Sequence, residues 1–376
     1  AASDDPTGHE QLGGDWELEF QVGEVETRVA IGDAAQANWM SILDSPVGSE
    51  TTVASTSAAE SNAAVAMAAS GDFVVVWEKD DGGSDGADVY FQRYDAGGTE
   101  QGTATRVNTT INGNQNLPSV AMKSDGGFVV VWDGNGDQSG QVDNDGIFMQ
   151  QYDFQGNSQG GETLVNSNNK VESDAEIAMN ADGDFVVVWS TKDSGTGSEF
   201  EIYLQRFDSS GTAQGSEIRA NTTTDQDQFA PVVAMASDGS FVVAWEGRGD
   251  ESGETDSHGV FFQMFDSSSV AQGNENRVNT TTADVQSDAD IAINGNGDFL
   301  VAWTSGSVEV DGVLQGQIFH QLFDATGGSI GGEEMDTSEL LGPYASPSVA
   351  TTAADGFVLA FDGDGSAVVD DIHKIV

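Results

Sequence analysis

The chain has 376 residues, of which 63 are Asp or Glu and 12 are Lys or Arg, so its formal net charge is −51. Nucleic-acid binding depends on basic groups that neutralise phosphates, so this charge argues against a nucleic-acid partner. The chain has no cysteine, which excludes a disulfide framework and cysteine-based zinc or thiol sites. It also has no run of about 18 apolar residues, and residues 1–20 do not resemble a cleavable signal peptide, so we expect a soluble chain that is not inserted in a membrane.

One sequence pattern recurs along most of the chain. Each copy ends in FVVVW or a close variant, and the intervals between the last residues of successive copies are 55, 57, 56, 58 and 58 residues. These last residues are Trp77, Trp132, Trp189, Trp245, Trp303 and Phe361. Such a period is too long for one hairpin, so each repeat is predicted to be a small sheet.

Each repeat contains four segments that are typical of β-strands. The first is short and apolar, as in Val65–Met67, and a turn rich in Asp, Asn and Gly follows it. The second, FVVVW, is apolar on both faces and should be covered on both sides. The third alternates and closes on an Asp that caps a turn, as in Val89–Asp95. The fourth is more polar, as in Thr105–Asn108, which suits an outer edge strand.

Four antiparallel strands in each unit of roughly 40 to 60 residues describe a propeller blade. The sixth repeat ends before its fourth strand, whereas Ser49–Ser55, ahead of the first repeat, has the pattern of an unpaired fourth strand. Pairing the two predicts an all-β fold: a six-bladed β-propeller of four-stranded antiparallel blades, closed by an N-terminal strand. A closed ring leaves no sheet edge exposed. We therefore assign residues 49–376 to the propeller.

Residues 1–48 precede the repeats and are predicted to form an N-terminal appendage. Residues 15–22 and 26–31 have the pattern of a β-hairpin, and residues 34–43 suit a short helix with Asp33 as its N-cap. A competing interpretation makes residues 39–44 the third strand of the closing blade. We prefer the helix because Asp44 and Val53 are nine residues apart, whereas the matching residues of the repeats are twelve apart.

The motifs PSVAM, DGxFVVVW, FxQxFD and VNTT resemble the repeats of very large secreted proteins of Gram-negative bacteria, which often carry RTX and cadherin-like modules. The resemblance covers about residues 49–376. The leading stretch LGGDWELEFQVGEVETRVAIGDAAQANWMSIL is similar to the end of an uncharacterised domain found near the N-terminus of such proteins. The resemblance implies a calcium-dependent extracellular protein, cut or matured from a longer precursor and exported without a cleaved signal. It assigns no catalytic residue.

The loop after each second strand is the most acidic part of the repeat. Oxygen ligands at alternate positions on a glycine-containing loop can surround calcium at about 2.3 to 2.6 Å. The predicted calcium ligands are Asp133, Asn135, Asp137, Asp143, Asp145, Asp362, Asp364 and Asp370. The first of these loops is not an EF-hand, because Gln138 stands where glycine is required and Asn144 where the bidentate glutamate should be. The alternative is a solvated acidic loop without a metal.

Three other residue types recur at fixed places in the repeat. The third-strand glutamines suit an amide that satisfies backbone groups between blades, with a ring of ligand contacts as the alternative. The tryptophans are predicted to be core wedges, with a sugar platform as the alternative. The asparagines of Asn-Thr-Thr are predicted to cap strand ends, with sugar attachment as the alternative. The glutamines are Gln92, Gln150, Gln205, Gln263 and Gln321, and the asparagines are Asn108, Asn221 and Asn279.

The acidity of the chain also has two interpretations. Its 63 carboxylates repel one another unless salt or divalent ions screen them. Seawater or brine meets that condition, so we favour a marine or halophilic habitat over an acidic surface that binds a basic partner.

These observations lead us to expect a secreted or cell-surface structural or adhesive propeller, stabilised by calcium and able to assemble into a layer or filament. Its partners would be copies of itself, other surface proteins or glycans. We expect no enzyme, because the four histidines lie in different parts of the chain and none adjoins Ser or Asp in a nucleophile motif. The alternative is a carbohydrate-binding or hydrolytic propeller acting on extracellular polysaccharide, which requires exposed aromatic residues or a carboxylate pair at the channel mouth.

Overall fold

A computed structural model of the chain shows an all-β protein, as predicted. It describes residues 17–18, 27–29, 52–53, 58–82, 86–111, 113–138, 141–167, 170–192, 199–224, 226–248, 258–282, 285–310, 313–335, 346–352, 355–361 and 370–375. Every regular element within these ranges is a β-strand, and none of the described residues forms a helix that could span a membrane.

The strands of the described residues form six sheets, which we number in chain order. The first contains β3 (Ala59–Met67), β4 (Phe73–Asp80), β5 (Asp88–Tyr94) and β6 (Thr105–Arg106). The second contains β7 (Gln115–Met122), β8 (Phe128–Gln138), β9 (Gln141–Tyr152) and β10 (Ser158–Leu164). The third contains β11 (Val171–Met179), β12 (Phe185–Lys192), β13 (Phe200–Phe207) and β14 (Ala213–Arg219).

The remaining sheets repeat this order. The fourth contains β15 (Gln228–Met235), β16 (Phe241–Gly247), β17 (Gly259–Phe265) and β18 (Ala271–Arg277). The fifth contains β19 (Val285–Ile293), β20 (Phe299–Val310), β21 (Val313–Phe323) and β22 (Ser329–Met335). The sixth contains β23 (Pro347–Thr351), β24 (Phe357–Phe361) and β25 (Asp370–Ile375). Consecutive strands of each set pair in antiparallel fashion, as predicted.

The fourth strand of the sixth sheet differs from the prediction. It is β1 (Glu17–Leu18), which pairs antiparallel with β25 so that Glu17 lies opposite Asp371. Of residues 49–55, which were expected in this place, 52–53 are not in a strand and the others lie outside the described residues. An open edge of unpaired N–H and C=O groups accepts any extended segment within reach, and β1 is the segment that pairs here.

The N-terminal strands also depart from the expected hairpin. The strand β2 (Thr27–Val29) pairs in parallel with β3, with Arg28 opposite Ala64, and is a fifth strand of the first sheet. The described strands β1 and β2 therefore belong to different sheets and do not pair with each other. The helix predicted at 34–43 and the alternative strand at 39–44 lie outside the described residues.

The first strand of each sheet contacts the first strand of the next sheet, from β3 through β7, β11, β15 and β19 to β23. We call these six strands the inner strands. The fourth strands of the second to fifth sheets are largely exposed. The predicted change from an apolar middle to a polar outer edge is therefore present in the fold.

The tryptophans form the core between neighbouring sheets, as predicted. Trp132, Trp189, Trp245 and Trp303 are fully buried. Trp132, for example, packs with Val74, Val76 and Val89 of the preceding sheet. Because both faces of each FVVVW strand are covered in this way, the strand is apolar on both sides.

Asp residues cap the turns after the third strands, as predicted. Asp95 Oδ1 accepts the backbone N–H groups of Gly97 at 3.0 Å and Thr99 at 2.9 Å. The backbone hydrogen bond from Thr99 is the main cause that lowers the pKa of Asp95. The same two bonds recur at Asp153, Asp208, Asp266 and Asp324.

The repeated glutamines have the expected structural role, but they act within a sheet rather than between sheets. Gln263 is 1% exposed, and its Nε2 donates to the carbonyls of Met264 at 2.9 Å and Gln272 at 3.1 Å. The strand register shifts at this point, which separates the carbonyl of Gln272 from a ladder partner. The other four glutamines repeat this pattern: Gln92, Gln150, Gln205 and Gln321.

The repeated asparagines cap strand ends. Asn279 Oδ1 accepts the N–H of Val260 at 2.9 Å, and its Nδ2 donates to the carbonyl of Thr281 at 2.8 Å. Asn108, Asn221 and Asn279 are each 1 to 2% exposed. Their amides are buried and bonded, so the capping interpretation accounts for them.

Candidate functional site

The inner strands of the first five sheets are bulged at the same place. At each bulge the register with the second strand shifts and a residue other than glycine adopts a positive φ. These residues are Asn62 (φ 50°), Leu117 (49°), Asp174 (59°), Ala230 (48°) and Asp288 (53°). Positive φ is strained for such residues and is often found at functional sites. Bulges also redirect side chains and backbone N–H groups.

A carboxylate of the preceding sheet holds the bulge in place. Asp133, which follows Trp132 on β8, accepts the N–H of Asp174 at 2.9 Å and that of Ala175 at 3.2 Å. Equivalent bonds join Glu246 to the N–H of Asp288 at 2.7 Å and Glu78 to that of Leu117 at 3.3 Å. In these three repeats the acidic residue after the tryptophan thus fastens one sheet to the inner strand of the next.

A pair of carboxylates lies at the bulge of each of two inner strands. Asp174 and Glu176 are on β11, and Asp288 and Asp290 occupy the same two positions on β19. The matching pairs on other inner strands are Asn62 and Ala64, Leu117 and Ser119, and Ala230 and Val232. The strand β15 contacts both β11 and β19 and lies between them. We call these four residues the inner carboxylates.

Hydrogen bonds position the inner carboxylates. Glu176 Oε2 accepts the hydroxyl of Ser119 at 2.7 Å, and Asp290 Oδ2 accepts the N–H of Val349 at 2.8 Å. Asp174 and Asp288 each accept the hydroxyl of the preceding serine, at 3.0 and 2.8 Å. Asp288 is exposed and the other three are half-buried. The carboxylates are therefore both held in position and within reach of solvent.

Asp133 adds a fifth acidic group beside β11. Burial raises the pKa of this carboxyl well above its ordinary value. The negative charges of Asp174 and Glu176 raise the pKa further, although the two backbone N–H donors oppose the shift. Asp133 therefore keeps its proton to a higher pH than an exposed carboxyl does.

An aromatic and basic cluster lies on the fourth sheet, between the two acidic strands. Phe229 of β15 is half-buried, and the guanidinium carbon of Arg248 lies 5.7 Å from its ring centroid. The His258 ring is edge-on to Phe229, at 5.8 Å between centroids. Arg248 Nε donates to His258 Nε2 at 2.7 Å, and Asp227 Oδ2 lies 3.6 Å from Arg248 Nη1. The cluster offers an aromatic face together with hydrogen-bond donors.

The predicted calcium ligands occupy different settings. Asp133 is buried in the contact with β11. The expected loop is partly replaced by paired strands: Asn135 and Asp137 lie on β8 and Asp143 and Asp145 on β9, with Gly136 opposite Asp143. Asp370 lies on β25 opposite Leu18, and Asp362 and Asp364 lie outside the described residues. No group of three metal-ligating side chains is found among the residues that the structure describes, and the calcium site stays a prediction.

The inner carboxylates were not predicted, because they lie in the first strands of their repeats and not in the acidic loops after the tryptophans. A signal for them exists in the first strands. The third and fifth repeats read SDAEIAM and SDADIAI, whereas the second and fourth read LPSVAM and APVVAM. Acidic residues at matched positions of an otherwise apolar strand mark these two repeats as different.

Comparisons with known proteins match the two parts of the chain separately. Residues 1–43 match a family described as a domain of unknown function, DUF4347, in agreement with the uncharacterised domain predicted there. No curated protein matches the chain. Neither finding bears on RTX or cadherin-like modules, so that association stays a prediction.

Several solved structures are similar to most of the chain. A protein of unknown function from Dyadobacter fermentans has a TM-score of 0.53 at 11% identity, covering 85% of this chain and 94% of that chain. The GH93 α-L-arabinofuranosidase of Fusarium graminearum, in complex with arabinobiose, has a TM-score of 0.53 at 14% identity, covering 84% and 92%. A mutant of the same Fusarium enzyme with an iminosugar inhibitor has a TM-score of 0.51 at 13% identity, again covering 84% and 92%. At these identities the likeness establishes a propeller-like all-β fold.

These comparisons correct two expectations. The preference for a structural or adhesive module was wrong, because the similar structures of known activity described above are those of a Fusarium glycoside hydrolase. The expectation that the chain is not an enzyme was wrong for the same reason. The absence of a histidine nucleophile motif does not exclude such an activity, because glycosidases work with pairs of Asp or Glu residues.

Proposed function

We propose that the chain is a six-bladed, closed β-propeller that hydrolyses an extracellular polysaccharide at its inner strands. The observation that carries this proposal is the matched pairs of carboxylates on β11 and β19, on either side of β15. The propeller-like fold shared with an α-L-arabinofuranosidase supports it, and a furanose-containing polysaccharide is the first substrate to try.

Closure of the ring is part of the proposal. The pairing of β1 with β25 supplies a fourth strand to the last sheet, and each inner strand from β3 to β19 contacts the next one, which supports closure. In a closed ring the inner strands line a central channel, and β11, β15 and β19 form one continuous part of its wall.

The proposed chemistry uses one carboxyl group on each side of the glycosidic bond. A carboxylic acid donates its proton to the leaving oxygen as the bond to the anomeric carbon breaks. A carboxylate on the other side takes a proton from the water that attacks this carbon. Because β11 and β19 belong to sheets that are separated by a third, the wide spacing of an inverting enzyme is favoured.

We assign the acid to the β11 side and the base to the β19 side. Each side has a buried carboxylate beside its pair, Asp133 next to β11 and Glu246 next to β19, and on the β11 side the charges of Asp174 and Glu176 act on Asp133. Burial and neighbouring charge raise the pKa of Asp133, so a proton is retained in this group at higher pH. Glu176 is the acid that we expect to face the substrate, and Asp290 is the base.

Phe229 is proposed to bind the sugar adjacent to the cleaved bond. An aromatic ring offers an apolar face to the C–H groups of a sugar, and Phe229 is only partly buried on β15. The extracellular location and the calcium dependence expected from the sequence remain parts of the proposal, since the strongly acidic surface suits a salty medium.

The test is the release of reducing sugar from a panel of polysaccharides that begins with arabinan. Glu176→Gln and Asp290→Asn should each lower the rate by a factor of about 10² to 10⁴, the usual contribution of general acid or base catalysis. Asp182→Asn, which changes an exposed carboxylate in the turn between β11 and β12, is the matched control and should keep the wild-type rate. Thermal unfolding checks that each variant is folded. Full activity of both site variants, or no release from any polysaccharide, would overturn the proposal.

A further inference from the structure

The cluster at Arg248 presents hydrogen-bond donors that the protein itself does not satisfy. Arg248 donates through Nε to His258, whereas its terminal nitrogens make no hydrogen bond within the described part of the chain. Asp227 is the carboxylate paired with it, and at 3.6 Å it is too far for a hydrogen bond. The Arg248 side chain is 46% exposed, so the fork of its guanidinium is open to solvent.

His258 contributes a second unsatisfied donor. Its Nε2 accepts the hydrogen of Arg248 Nε, so the hydrogen of the neutral ring must lie on Nδ1. Nδ1 is buried and has no hydrogen-bond partner among the described residues. Burial and the charge of Arg248 lower the pKa of His258, which keeps the ring neutral and in this tautomer.

The guanidinium is held in one orientation before any ligand arrives. Stacking on Phe229 and the bond to His258 restrain its plane, so little side-chain freedom is lost when a ligand binds. A planar fork of N–H donors matches the two oxygens of a carboxylate. The ligand that fits this arrangement therefore carries an anionic pair of oxygens.

We propose that Arg248, supported by His258 and Phe229, binds the carboxylate of a uronic acid unit in the substrate polysaccharide. The inference rests on the proposed function and narrows its substrate class to acidic polysaccharides. The cluster lies on the fourth sheet, between the two strands that bear the inner carboxylates, so a sugar bound there neighbours the proposed site of cleavage.

The charge of the whole chain gives this site a distinctive salt dependence. A net charge of −51 repels an acidic polymer, and this long-range repulsion is strongly screened by salt. The short-range contact at Arg248 is screened less. Affinity for an acidic oligosaccharide should therefore rise with NaCl before it levels off, which is the opposite of binding to a basic surface.

The chain offers a matched control for Arg248. Arg277 also stacks on an aromatic ring, at 5.7 Å from Phe261, and its Nε donates to Asn279 Oδ1 at 3.2 Å. It lies on β18, a fourth strand far from the inner carboxylates along the sheet. Replacing either arginine by glutamine removes one positive charge and one stacked pair.

The experiment is calorimetric titration of the full chain with a galacturonic acid hexamer, with a neutral arabinose hexamer and with a sulfated galactose hexamer. Arg248→Gln should weaken binding of the galacturonate hexamer by about 10- to 100-fold, the range expected from lost hydrogen bonds to a charged group. The affinity of Arg248→Lys for the galacturonate hexamer should lie between those of the wild type and Arg248→Gln, because lysine keeps the positive charge but lacks the planar fork of donors. Arg277→Gln should bind like the wild type, and the neutral hexamer should not distinguish any of these variants.

The outcomes separate this inference from the proposed function. Equal effects of Arg248→Gln and Arg277→Gln, equal affinity of the wild type for neutral and acidic hexamers, or preference for the sulfated hexamer would each overturn the uronate site. Hydrolysis of neutral arabinan that depends on Glu176, with no effect of Arg248→Gln, would leave the proposed function standing without the inference. Galacturonate binding that depends on Arg248, without hydrolysis of any polysaccharide, would support the uronate site and overturn the proposed function.

Discussion

Asp133 Oδ2 accepts the backbone N–H of Asp174 at 2.9 Å and so joins the second sheet to the bulged inner strand of the third. The bond connects a repeated structural position, the residue after the tryptophan, with one of the inner carboxylates. The Asp133 side chain therefore contributes both to the packing of neighbouring sheets and to the position of a proposed catalytic group.

The raised pKa of Asp133 predicts how its replacement depends on pH. A carboxyl whose pKa is higher in the folded state contributes stability below its unfolded pKa, and this contribution is lost as pH rises through the folded value. Asp133→Asn has no such loss, although one of two backbone N–H groups loses its acceptor at a cost of about 1 kcal/mol. We expect the variant to be the less stable protein at about pH 4 and to equal or exceed the wild type at about pH 8. Urea unfolding at both pH values measures this, and a difference that does not change with pH would contradict it.

A second set of contacts joins neighbouring sheets at the outer strands. Glu275 of β18 is 7% exposed and accepts hydrogen bonds from the Thr222 hydroxyl at 2.7 Å and the Thr223 N–H at 3.1 Å. Glu275→Ala leaves these donors without an acceptor and should lower the free energy of unfolding by about 1 to 3 kcal/mol. Glu334→Ala, which removes a 71% exposed carboxylate from the next outer strand, should cost less than about 1 kcal/mol. If urea unfolding gives the same loss of unfolding free energy for both variants, the hydrogen bonds of Glu275 do not stabilise the contact between the sheets.

Gly134 illustrates how tightly the tryptophan is enclosed. A Cβ at this position would lie 2.4 Å from Gln115 Oε1, the atom that accepts the indole N–H of Trp132. Gly134→Ala should displace Gln115 and destabilise the protein by about 1 to 3 kcal/mol. Gly161→Ala, where nothing lies within 4 Å of the added atom, is the control and should change stability by less than about 0.5 kcal/mol. Thermal unfolding compares the two, and similar melting temperatures would contradict the packing described.

Ring closure can be tested with a disulfide, because the chain contains no cysteine of its own. Leu18 and Asp370 are directly opposite each other in the pairing of β1 with β25. Leu18→Cys combined with Asp370→Cys should form an intramolecular disulfide on mild oxidation, since paired strand positions bring Cα atoms within bonding range. Mass spectrometry of the digested protein detects the bond. Leu18→Cys with Ile375→Cys is the mismatched control, and cross-linking there but not at 370 would refute the register.

The predicted calcium dependence is tested by metal removal. A ligand that binds only the folded state raises the melting temperature, so a chelator should lower it and added calcium should restore it. Asp137→Asn should reduce the shift if the second repeat supplies ligands. An unchanged melting temperature in the presence of chelator would show that calcium does not stabilise the protein.

Much of the architecture was accessible from local patterns. The period between the tryptophans predicted the sheets and their number of strands, and alternation within each strand predicted the inner-to-outer polarity. The capping roles of Asp95 and Asn279 followed from the same patterns, because they depend on residues close in the chain. Such features repeat several times along the chain, so each copy supports the assignment of the others.

The partner of the last sheet was not accessible in this way. Residues 49–55 and residues 17–18 both have sequence patterns typical of a β-strand, and a strand of either pattern can satisfy an open edge. The choice depends on where the chain lies after five sheets have packed, which is a property of the whole fold. The same limit applies to Gln263, whose amide could have bonded within or between sheets.

By itself, the sequence determined the all-β class, the repeat and the burial of its tryptophans, since these follow from periodic hydrophobicity and turn chemistry. Only the tertiary structure decided that β1 pairs with β25 and that Asp174, Glu176, Asp288 and Asp290 flank β15. The reason is physical: both arrangements join parts of the chain more than a hundred residues apart, and the hydrophobic and turn patterns of a single repeat do not specify which distant segments come together.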